Sequence, residues 1–319
     1  MPKVSVVIPS YNAMAYLPET VDSVITQTFT DFEVLIVNDG SSDNIVEWAS
    51  QFKDPRIKLI SQENQGVCVA RNTGIVHAQG KYIAFLDADD LWDPTKLEKQ
   101  VLCLDDSQSV GLVHTWMVLI DQHGNSTGRV MISDTTGKVW KQLAEKNTIA
   151  CSSVMVRRCC FEKVGMFAPI LHAVEDWDMW IRIAAHYSFA VINEPLLLYR
   201  QHFSNSSKNW QAMEQAFHLV IERTFESKPK ELLFLKDRSY GHASLCLAWK
   251  ALQSKDNNYK QADRFRKQAL VNYDQLRYSQ EYIRLSLAIL MMRWFGDDIY
   301  AKLLSLAYSF RRRIPLNMR

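Results

Sequence analysis

The chain lacks an excess of charge of either sign. Its 319 residues include 37 lysines and arginines and 35 aspartates and glutamates, which leaves a formal net charge of +2. A protein whose main partner is nucleic acid usually carries a clear basic excess. The near balance therefore argues against nucleic acid as the main partner, and any electrostatic function has to be local.

The six cysteines show neither a metal-binding nor a disulfide pattern. They include no CxxC pair, and no histidine lies near them at zinc-finger spacing. Adjacent Cys159 and Cys160 make a poor disulfide, because neighbouring residues rarely reach the required geometry. The pattern predicts small buried thiols in a reducing compartment.

Long apolar runs are also missing. The first twelve residues, MPKVSVVIPSYN, contain no charged region followed by an apolar core and a small-residue cleavage site. No stretch reaches the ~18 uninterrupted apolar residues that a membrane-spanning helix needs. We therefore expect a cytoplasmic protein.

The first part of the chain alternates short apolar runs with helical patterns. Residues 4–8 and 33–37 are nearly continuous apolar runs, which are typical of strands covered on both faces. This order predicts an α/β fold with a mostly parallel, twisted sheet flanked by helices. In such a sheet ligands bind beyond the carboxyl ends of the strands, where we expect Asn12, Asp39 and Asp87.

The pattern changes twice further along the chain. Residues 111–160 follow no clear period, and residues 210–280 are almost wholly helical in pattern. We place a domain boundary near residue 205. The sequence thus predicts an α/β domain over residues 1–205 and an all-helical extension over residues 206–319.

Asp87 and Asp89 directly follow the strand-like run 82–86. In an extended backbone, side chains two residues apart point to the same side. Two carboxylates placed in this way suit Mg²⁺ or Mn²⁺, with phosphate and water completing the coordination shell. The alternative is helix capping. Asp93 before Pro94 is a good N-cap and first helical residue, but this leaves Asp87 and Asp89 unexplained.

Five sequence motifs occur in a fixed order. They are VSVVIPSYN, VLIVNDGSSD, NQGVCVARNTGIVHAQGKYIAFLDADD, VEDWDMWIRIA and YRQH. In this order and spacing the chain resembles family 2 glycosyltransferases, which have the GT-A fold, over residues 3–207. The resemblance implies a metal-dependent, inverting transfer of one hexosyl or N-acetylhexosaminyl group from a UDP-sugar, in preference to another nucleotide sugar. The implied acceptor is a hydroxyl of a glycan or glycolipid, and the implied process is cell-surface polysaccharide biosynthesis.

The resemblance also implies a donor site. Its residues are Pro9, Tyr11, Asn12, Asp39, Arg71, Asp87, Ala88 and Arg200. Tyr11 would lie against uracil and Asp39 would accept from the uracil N3–H. The alternatives are a tyrosine packed under a loop and an Asx-turn. Arg71 would neutralise the diphosphate or orient the Asp87 carboxylate, and Arg200 would clamp phosphate.

Metal and catalytic roles are implied for a smaller set. Asp87, Asp89 and His202 would bind Mn²⁺ or Mg²⁺, although His202 is equally consistent with a hydrogen-bonded loop histidine. Asp176 would be the general base that takes the proton of the acceptor hydroxyl, and Glu175 would hold a sugar hydroxyl.

Local patterns offer alternatives near these residues. Acidic side chains at 175–178 are also typical of the first turn of a helix. Trp177 and Trp180 would form either an acceptor-facing wall or part of the core. The polar segment 203–209, which contains Ser207, would order over a bound donor.

Residues 281–319 combine apolar stretches with seven basic and three acidic side chains, a net charge of +4. Apolar helices that end in clustered arginines can lie in an anionic membrane surface. The sequence therefore leaves three interpretations open for this segment. They are peripheral contact with the inner face of the membrane, packing on the catalytic domain, and a homodimer face.

A non-catalytic protein that binds nucleotide sugars, or that assembles others, is the competing hypothesis. Retention of both acidic pairs, 87/89 and 175/176, argues against it. The QxxRW signature of processive synthases is missing, so we expect one sugar to be transferred per encounter.

Overall fold

The computed structural model describes residues 1–202, 209–254 and 258–312, with the side chains of the last helix described up to residue 296. These residues form two compact units. One contains residues 1–140 and 148–201, and the other contains residues 141–147 and the described residues from 202 onward.

The described part of the first unit is built on a nine-stranded mixed sheet. Its strands are β1 (Val4–Ser10), β2 (Phe32–Asp39), β3 (Ile57–Gln62), β4 (Tyr82–Phe85), β5 (Leu91–Trp92), β6 (Val110–Ile120), β7 (Ser126–Met131), β8 (Met155–Arg157) and β9 (Ser188–Arg200). They lie in the order β3-β2-β1-β4-β8-β6-β9-β5, with β7 on β6. Parallel pairing forms the longer ladders, β3-β2-β1-β4 and β6-β9, and antiparallel β8 joins them. The predicted α/β class with a mostly parallel sheet is confirmed.

Eleven helices accompany these strands in the described residues. They are α1 (Leu17–Ile25), α2 (Ile45–Ala49), α3 (Val67–His77), α4 (Lys96–Asp106), α5 (Trp140–Glu145), α6 (Arg158–Val164), α7 (Glu175–Ala184), α8 (Trp210–Phe225), α9 (Leu233–Leu252), α10 (Tyr259–Asn272) and α11 (Gln280–Arg312). Every residue of β1 and β2 is buried, as expected for strands with helices on both faces.

The order of the first strands determines where a ligand can bind. Strand β1 pairs in parallel with β2 on one side and with β4 on the other. The chain therefore moves outward from β1 to β3 and then returns to β4, which makes the β1/β4 gap a topological switch point. The loops that follow β1 and β4 leave the sheet at the same edge.

Helix α3 reaches this edge because Gly74 lets it approach β1 closely. A Cβ atom at Gly74 would lie 2.3 Å from Cγ1 of Val7, which is too close for any side chain. The close approach lets α3 carry Arg71, which is 3% exposed, into the interior next to the strand ends.

The segment 111–160 contains β6, β7 and β8, although its sequence predicts no regular element. Strand β6 pairs with β9 in parallel, and this ladder contains three register shifts. Such shifts move side chains from one face to the other, so the alternation that marks a strand in the sequence is lost here.

The described residues of the second unit are helical, as predicted, with short 3-10 turns at Lys230–Leu232 and Asp274–Tyr278. Helix α10 buries Ala262, Phe265 and Ala269. Helix α11 is interrupted at Gly296, whose φ of 75° is not helical. Over the part of the chain that the structure describes, no helix combines the length and apolarity needed to cross a membrane.

Lys96 in α4 is fully buried. Its Nζ donates to Oε1 of Gln100 at 2.8 Å and lies 3.9 Å from the centroid of the Trp92 ring. Burial lowers the pKa of the Lys96 ammonium well below its ordinary value, because the charged form is poorly solvated in the interior.

Lys96→Met should change how stability depends on pH. Between the lowered pKa of folded Lys96 and the pKa of ~10.4 in the unfolded chain, the unfolded state binds more protons, so wild-type stability rises with pH. Methionine lacks this contribution. The stability of the variant relative to the wild type should therefore fall by more than about 1 kcal/mol between pH 7 and pH 10, as measured by urea unfolding.

Lys99→Met provides the reference for losing a half-buried lysine, which pairs with Glu194, from the same helix. If the difference between Lys96→Met and the wild type stays constant over this pH range, the lowered pKa of Lys96 is wrong.

Candidate active site

A buried guanidinium joins the two acidic pairs that the sequence singles out. Arg71 on α3 donates from Nη2 to Oδ1 of Asp87 at 2.7 Å and from Nη1 to Oε1 of Glu175 at 2.5 Å. Its guanidinium also lies 5.5 Å from the centroid of the Phe167 ring. Arg71 therefore brings the end of β4 and the start of α7 together, although Glu175 is 104 residues from it in the chain.

The start of α7 is strained. Val174, which precedes the helix, has φ 51° and ψ 24°. This left-handed conformation is rare for a β-branched residue and costs about 1–3 kcal/mol. The strained turn points the acidic first turn of α7 toward the end of β4.

The acidic residues of this first turn have different partners. Asp178 pairs with Arg182 one turn later, Oδ2 to Nε at 2.9 Å, so its role is structural. Glu175 accepts from Arg71. Oδ1 of Asp176 accepts from the backbone N–H of Trp177 at 2.7 Å.

The surroundings of Asp176 change its acidity. Burial, followed by the negative charge of Glu175, raises the pKa of Asp176 to about 7, and the charge of Arg71 opposes this rise. Burial likewise raises the pKa of Asp87 against the opposing charge of Arg71, and nearby Asp89 adds to the rise. A carboxylate with a pKa near 7 is suited to accept a proton at neutral pH.

The chain turns at Asp87–Asp89, and this corrects the expectation of an extended backbone there. Strand β4 ends at Phe85, and the backbone N–H of Asp90 donates to the carbonyl of Asp87 at 3.1 Å. The side chain of Asp90 is buried, and its Oδ1 accepts from the backbone N–H of Arg200 at 2.9 Å. This contact holds the chain against the end of β9.

Three groups from distant parts of the chain hold this turn in place. The backbone N–H of Asp87 donates to Oγ of Ser152 at 3.1 Å, and Oγ1 of Thr20 donates to the carbonyl of Ala88 at 3.0 Å. Nε of Arg200 donates to the carbonyl of Asp89 at 2.7 Å. These three hydrogen bonds fix the conformation of the turn.

Arg200, which the resemblance implies as a phosphate clamp, is 1% exposed. Besides its contact with the turn, it pairs with Oε2 of Glu19 through Nη2 at 2.7 Å and lies 4.9 Å from the ring of Tyr16. These contacts make Arg200 a residue that fixes the turn at Asp87–Asp89, which we name the acidic turn. Ala88 is also buried, at 8% exposure.

The residues implied for the nucleotide base differ widely in exposure. Pro9 is buried within β1, where it pairs with Val37, whereas Tyr11 is 56% exposed. Asn12 has φ 49°, and its Oδ1 accepts from the backbone N–H of Ser42 at 2.8 Å. Tyr11 and Asn12 are thus both exposed at the end of β1.

Asp39 is buried at the end of β2 and anchors the loop that leads to α3. Its Oδ1 accepts from the backbone N–H of Gln65 at 2.9 Å, and its Oδ2 accepts from that of Gly66 at 2.8 Å. The side-chain turn expected in this segment is made instead by Asn38, whose Oδ1 accepts from the N–H of Ser41 at 2.9 Å.

Three further expectations are corrected or fall outside the described residues. Trp177 and Trp180 are both buried, at 1% and 0% exposure, so neither forms an acceptor-facing wall. Helix α4 begins at Lys96, and Asp93 forms a turn onto the N–H of Thr95 at 2.9 Å instead of capping a helix that starts at Pro94. Ser207 and segment 203–208 of the expected lid lie outside the described residues.

The donor set at the turn fits a metal ion that arrives with a phosphate ligand. Asp87 is one-third exposed and Asp89 is half-buried. The described residues contain no group of three or more His, Cys, Asp or Glu side chains that could hold a metal. Mg²⁺ is usually bound by one or two carboxylates together with substrate phosphates and water. The carboxylates of Asp87 and Asp89 provide this number of protein ligands. His202 belongs to the second unit, and its role as a ligand stays a prediction.

Sequence comparison identifies the family. The model for glycosyl transferase family 2 matches residues 5–163. TuaG of Bacillus subtilis, whose name places it in teichuronic acid biosynthesis, is 33% identical over 227 residues, which cover 69% of this chain and 88% of TuaG. The chain belongs to glycosyltransferase family 2. The family expected from the five motifs is confirmed.

Other relatives of this family 2 glycosyltransferase differ in length and name. WfgD of Escherichia coli, a UDP-Glc:α-D-GlcNAc-diphosphoundecaprenol β-1,3-glucosyltransferase, is 30% identical over 64% of this chain and 78% of WfgD. An uncharacterised glycosyltransferase of Rickettsia felis is 37% identical over 61% of this chain. That match covers 32% of the Rickettsia protein, so this chain spans about a third of that relative's length.

Solved structures share the fold. TarS (residues 1–349) of S. aureus in complex with UDP-GlcNAc superposes with a TM-score of 0.55 at 16% identity, covering 85% of this chain and 89% of TarS 1–349. Mannosyltransferase PcManGT of Pyrobaculum calidifontis in complex with GDP-Man and Mn²⁺ superposes with a TM-score of 0.59 at 19% identity, covering 97% and 85%. The predicted GT-A fold is confirmed.

Sequence reasoning missed the residues that support this site. Ser152, Thr20 and Glu19 were not singled out, because their contacts connect segments that are far apart in the chain. Ser152 also lies in segment 111–160, which has no clear period. No local signal in the sequence could have identified these residues.

Arg71→Met should destabilise the family 2 glycosyltransferase by about 3 kcal/mol, because it leaves the Asp87 and Glu175 carboxylates without their buried partner. Arg56→Met is the matched control. It breaks the half-exposed pair with Asp54, whose side chains are 32% and 27% exposed, and such pairs are worth about 1 kcal/mol or less. Urea unfolding at pH 7.5 measures both variants, and equal losses would mean that Arg71 does not join the two acidic pairs.

Proposed function

We propose that this chain transfers one hexosyl or N-acetylhexosaminyl group from a UDP-sugar to a hydroxyl of a glycan or lipid-linked glycan, with inversion at the anomeric carbon. The carrying observation is the position of Asp176, which has a pKa of about 7 and lies in the first turn of α7. Arg71 ties this turn to the end of β4. The family membership gives the general reaction, and this arrangement supplies a base beside a candidate diphosphate site.

The choice of UDP is supported from two directions. WfgD is named for a UDP-Glc donor, and TarS binds UDP-GlcNAc. In this chain, Tyr11 is exposed at the β1/β4 switch point, where it can cover a planar base. PcManGT binds GDP-Man, so a guanine nucleotide is the competing donor.

The charges at the acidic turn support the proposal that the reaction requires a divalent cation. The guanidinium groups of Arg71 and Arg200 are 3% and 1% exposed and are already paired with carboxylates. A diphosphate beside Asp87 and Asp89 would therefore add negative charge next to two carboxylates. Mn²⁺ or Mg²⁺ held by these two carboxylates would balance that charge and stabilise the negative charge that grows on the departing UDP.

The residues of the first unit supply one base to the reaction. Asp176 takes the proton of the acceptor hydroxyl while that oxygen attacks the anomeric carbon from the face opposite UDP. The bond from the anomeric carbon to the phosphate oxygen breaks, and UDP leaves with the bonding electrons. No side-chain nucleophile is needed, so a single displacement inverts the anomeric centre.

The acceptor class is proposed from the relatives. TuaG is named for teichuronic acid biosynthesis, and WfgD acts on an acceptor linked to diphosphoundecaprenol. The first name concerns teichuronic acid and the second a lipid-linked sugar, and we propose cell-surface polysaccharide biosynthesis as the process. We extend this class of acceptor to the present chain.

Asp176→Asn should reduce UDP release in the presence of donor and acceptor by about 10²–10⁴-fold, the usual contribution of a general base. UDP affinity should stay within a few-fold of the wild type, because Asp176 acts on the acceptor. Glu162→Gln, an exposed substitution on α6, is the control and should keep full activity. The wild-type rate should rise with pH through about 7 as Asp176 ionises, and the residual rate of the variant should not.

Full turnover by Asp176→Asn would mean that another group is the base. UDP binding without turnover by the wild type, over a panel of donors and acceptors, would favour the non-catalytic binding protein instead.

Removal of divalent cations with EDTA should abolish UDP release, and Mn²⁺ or Mg²⁺ should restore it. Asp89→Asn should raise the Mn²⁺ concentration needed for half-maximal activity at least tenfold, because one carboxylate ligand is lost. Asp93→Asn is the control from the same loop. It weakens the turn onto Thr95 and should leave the Mn²⁺ requirement unchanged, whereas an equal shift in both variants would contradict the metal assignment.

A further inference from the structure

The first segment of α11, residues 280–295, is apolar on two opposite faces. Its inner face buries four side chains to between 0% and 6% exposure: Leu285, Ala288, Ile289 and Met292. Its outer face leaves four large apolar side chains 47–73% exposed: Ile283, Leu287, Leu290 and Trp294. Their spacing of four, three and four residues places them in one line on the helix. We name this line the outer stripe.

A line of exposed apolar side chains differs from scattered ones. Single exposed apolar residues are common on protein surfaces, but a contiguous patch marks a surface that another molecule covers. Phe295, which is 56% exposed, follows Trp294 directly. Gly296 then breaks the helix with a φ of 75°. The outer stripe therefore forms a defined surface that ends at this break.

Basic groups lie beside the outer stripe. A surface groove of about 560 Å³ between α10 and α11 is lined by Lys260, Arg266, Lys267 and Arg293, and it also contains Leu290 of the stripe. Asp263, also in the groove, pairs with Arg266 and Lys267 at 2.7 and 2.8 Å. Four basic groups against one acidic group leave the groove with a net charge of +3.

We propose that the outer stripe and this basic groove dock on an anionic membrane surface. Apolar side chains in line with an aromatic residue, flanked by lysine and arginine, are the pattern of a helix that lies in the plane of the interface. Sixteen residues of helix span about 24 Å, which is shorter than the ~30 Å hydrocarbon core, so this segment lies along the surface. The charge complementarity selects anionic headgroups over neutral ones.

Self-association through the same face is disfavoured by its charge. A two-fold interface brings the same patch of both copies together. It would therefore bring two grooves of net positive charge into one interface, and like charges at a desolvated interface repel. An anionic lipid surface gives these groups a partner of opposite sign.

Vesicle co-sedimentation of the full chain tests the proposal. Vesicles of phosphatidylcholine with 30% phosphatidylglycerol should bind the chain, pure phosphatidylcholine vesicles should bind it at least tenfold more weakly, and 0.5 M NaCl should weaken the binding to anionic vesicles. Lys260→Gln with Arg293→Gln should weaken binding to anionic vesicles about 30-fold, at roughly one kcal/mol for each basic residue.

Leu287→Gln with Trp294→Gln should weaken the same binding at least tenfold. Both residues are exposed, so thermal unfolding should match that of the wild type. Val271→Gln is the matched control, since Val271 is a 77% exposed apolar residue outside the stripe, and it should bind as the wild type does. Asp176→Asn should also bind normally, which separates membrane docking from the proposed transferase reaction.

Equal binding to both kinds of vesicle, or unchanged binding by the stripe and groove variants, would overturn the proposal. A dimer in analytical ultracentrifugation that the Leu287→Gln and Trp294→Gln variant disrupts, without vesicle binding by the wild type, would assign the stripe to a second copy instead.

Discussion

The architecture of the candidate active site depends on one buried guanidinium. Arg71 lies between Asp87 and Glu175, and its charge also opposes the rise in the pKa of Asp176. Without this charge, the pKa values of Asp87 and Asp176 would be raised further, because burial disfavours their charged forms. A buried ion pair adds little net stability, because desolvation offsets the Coulomb attraction. The contribution of Arg71 is geometric, because its two ion pairs fix the start of α7 relative to the end of β4.

Strain is concentrated around the same corner. Among the described residues, the non-glycine positions with positive φ are Asn12, which follows β1, and Val174, which precedes α7. Each holds a loop beside the strand ends in a conformation that the chain would not otherwise choose. The surrounding contacts compensate for this cost, as Oδ1 of Asn12 accepting from the N–H of Ser42 illustrates. The rigid sheet supports this strain at a ligand-binding edge.

The sequence predicts the parts of the fold that short-range patterns encode. Apolar runs such as residues 4–8 identify the buried strands, and acidic residues directly after them identify the candidate site. It does not predict how the acidic turn is held, because Arg200 reaches Asp89 and Asp90 across 111 and 110 residues. Nothing near Arg200 in the chain distinguishes a phosphate clamp from a buried structural arginine. The sequence does not predict strand β6 either, because the register shifts between β6 and β9 remove the regular alternation of side chains.

The net charge of +2 is the sum over the whole chain, which contains one acidic surface and one basic surface. At the acidic turn, the guanidinium groups of Arg71 and Arg200 are already paired with carboxylates, which is why we propose that a diphosphate binds there together with a cation. In the helical unit, basic side chains outnumber acidic ones in the groove between α10 and α11. One acid in the α10–α11 groove neutralises part of the charge, and the remaining basic groups lie beside exposed apolar side chains. A soluble anion would satisfy those basic groups alone, whereas an anionic lipid surface satisfies the basic groups and the apolar stripe together.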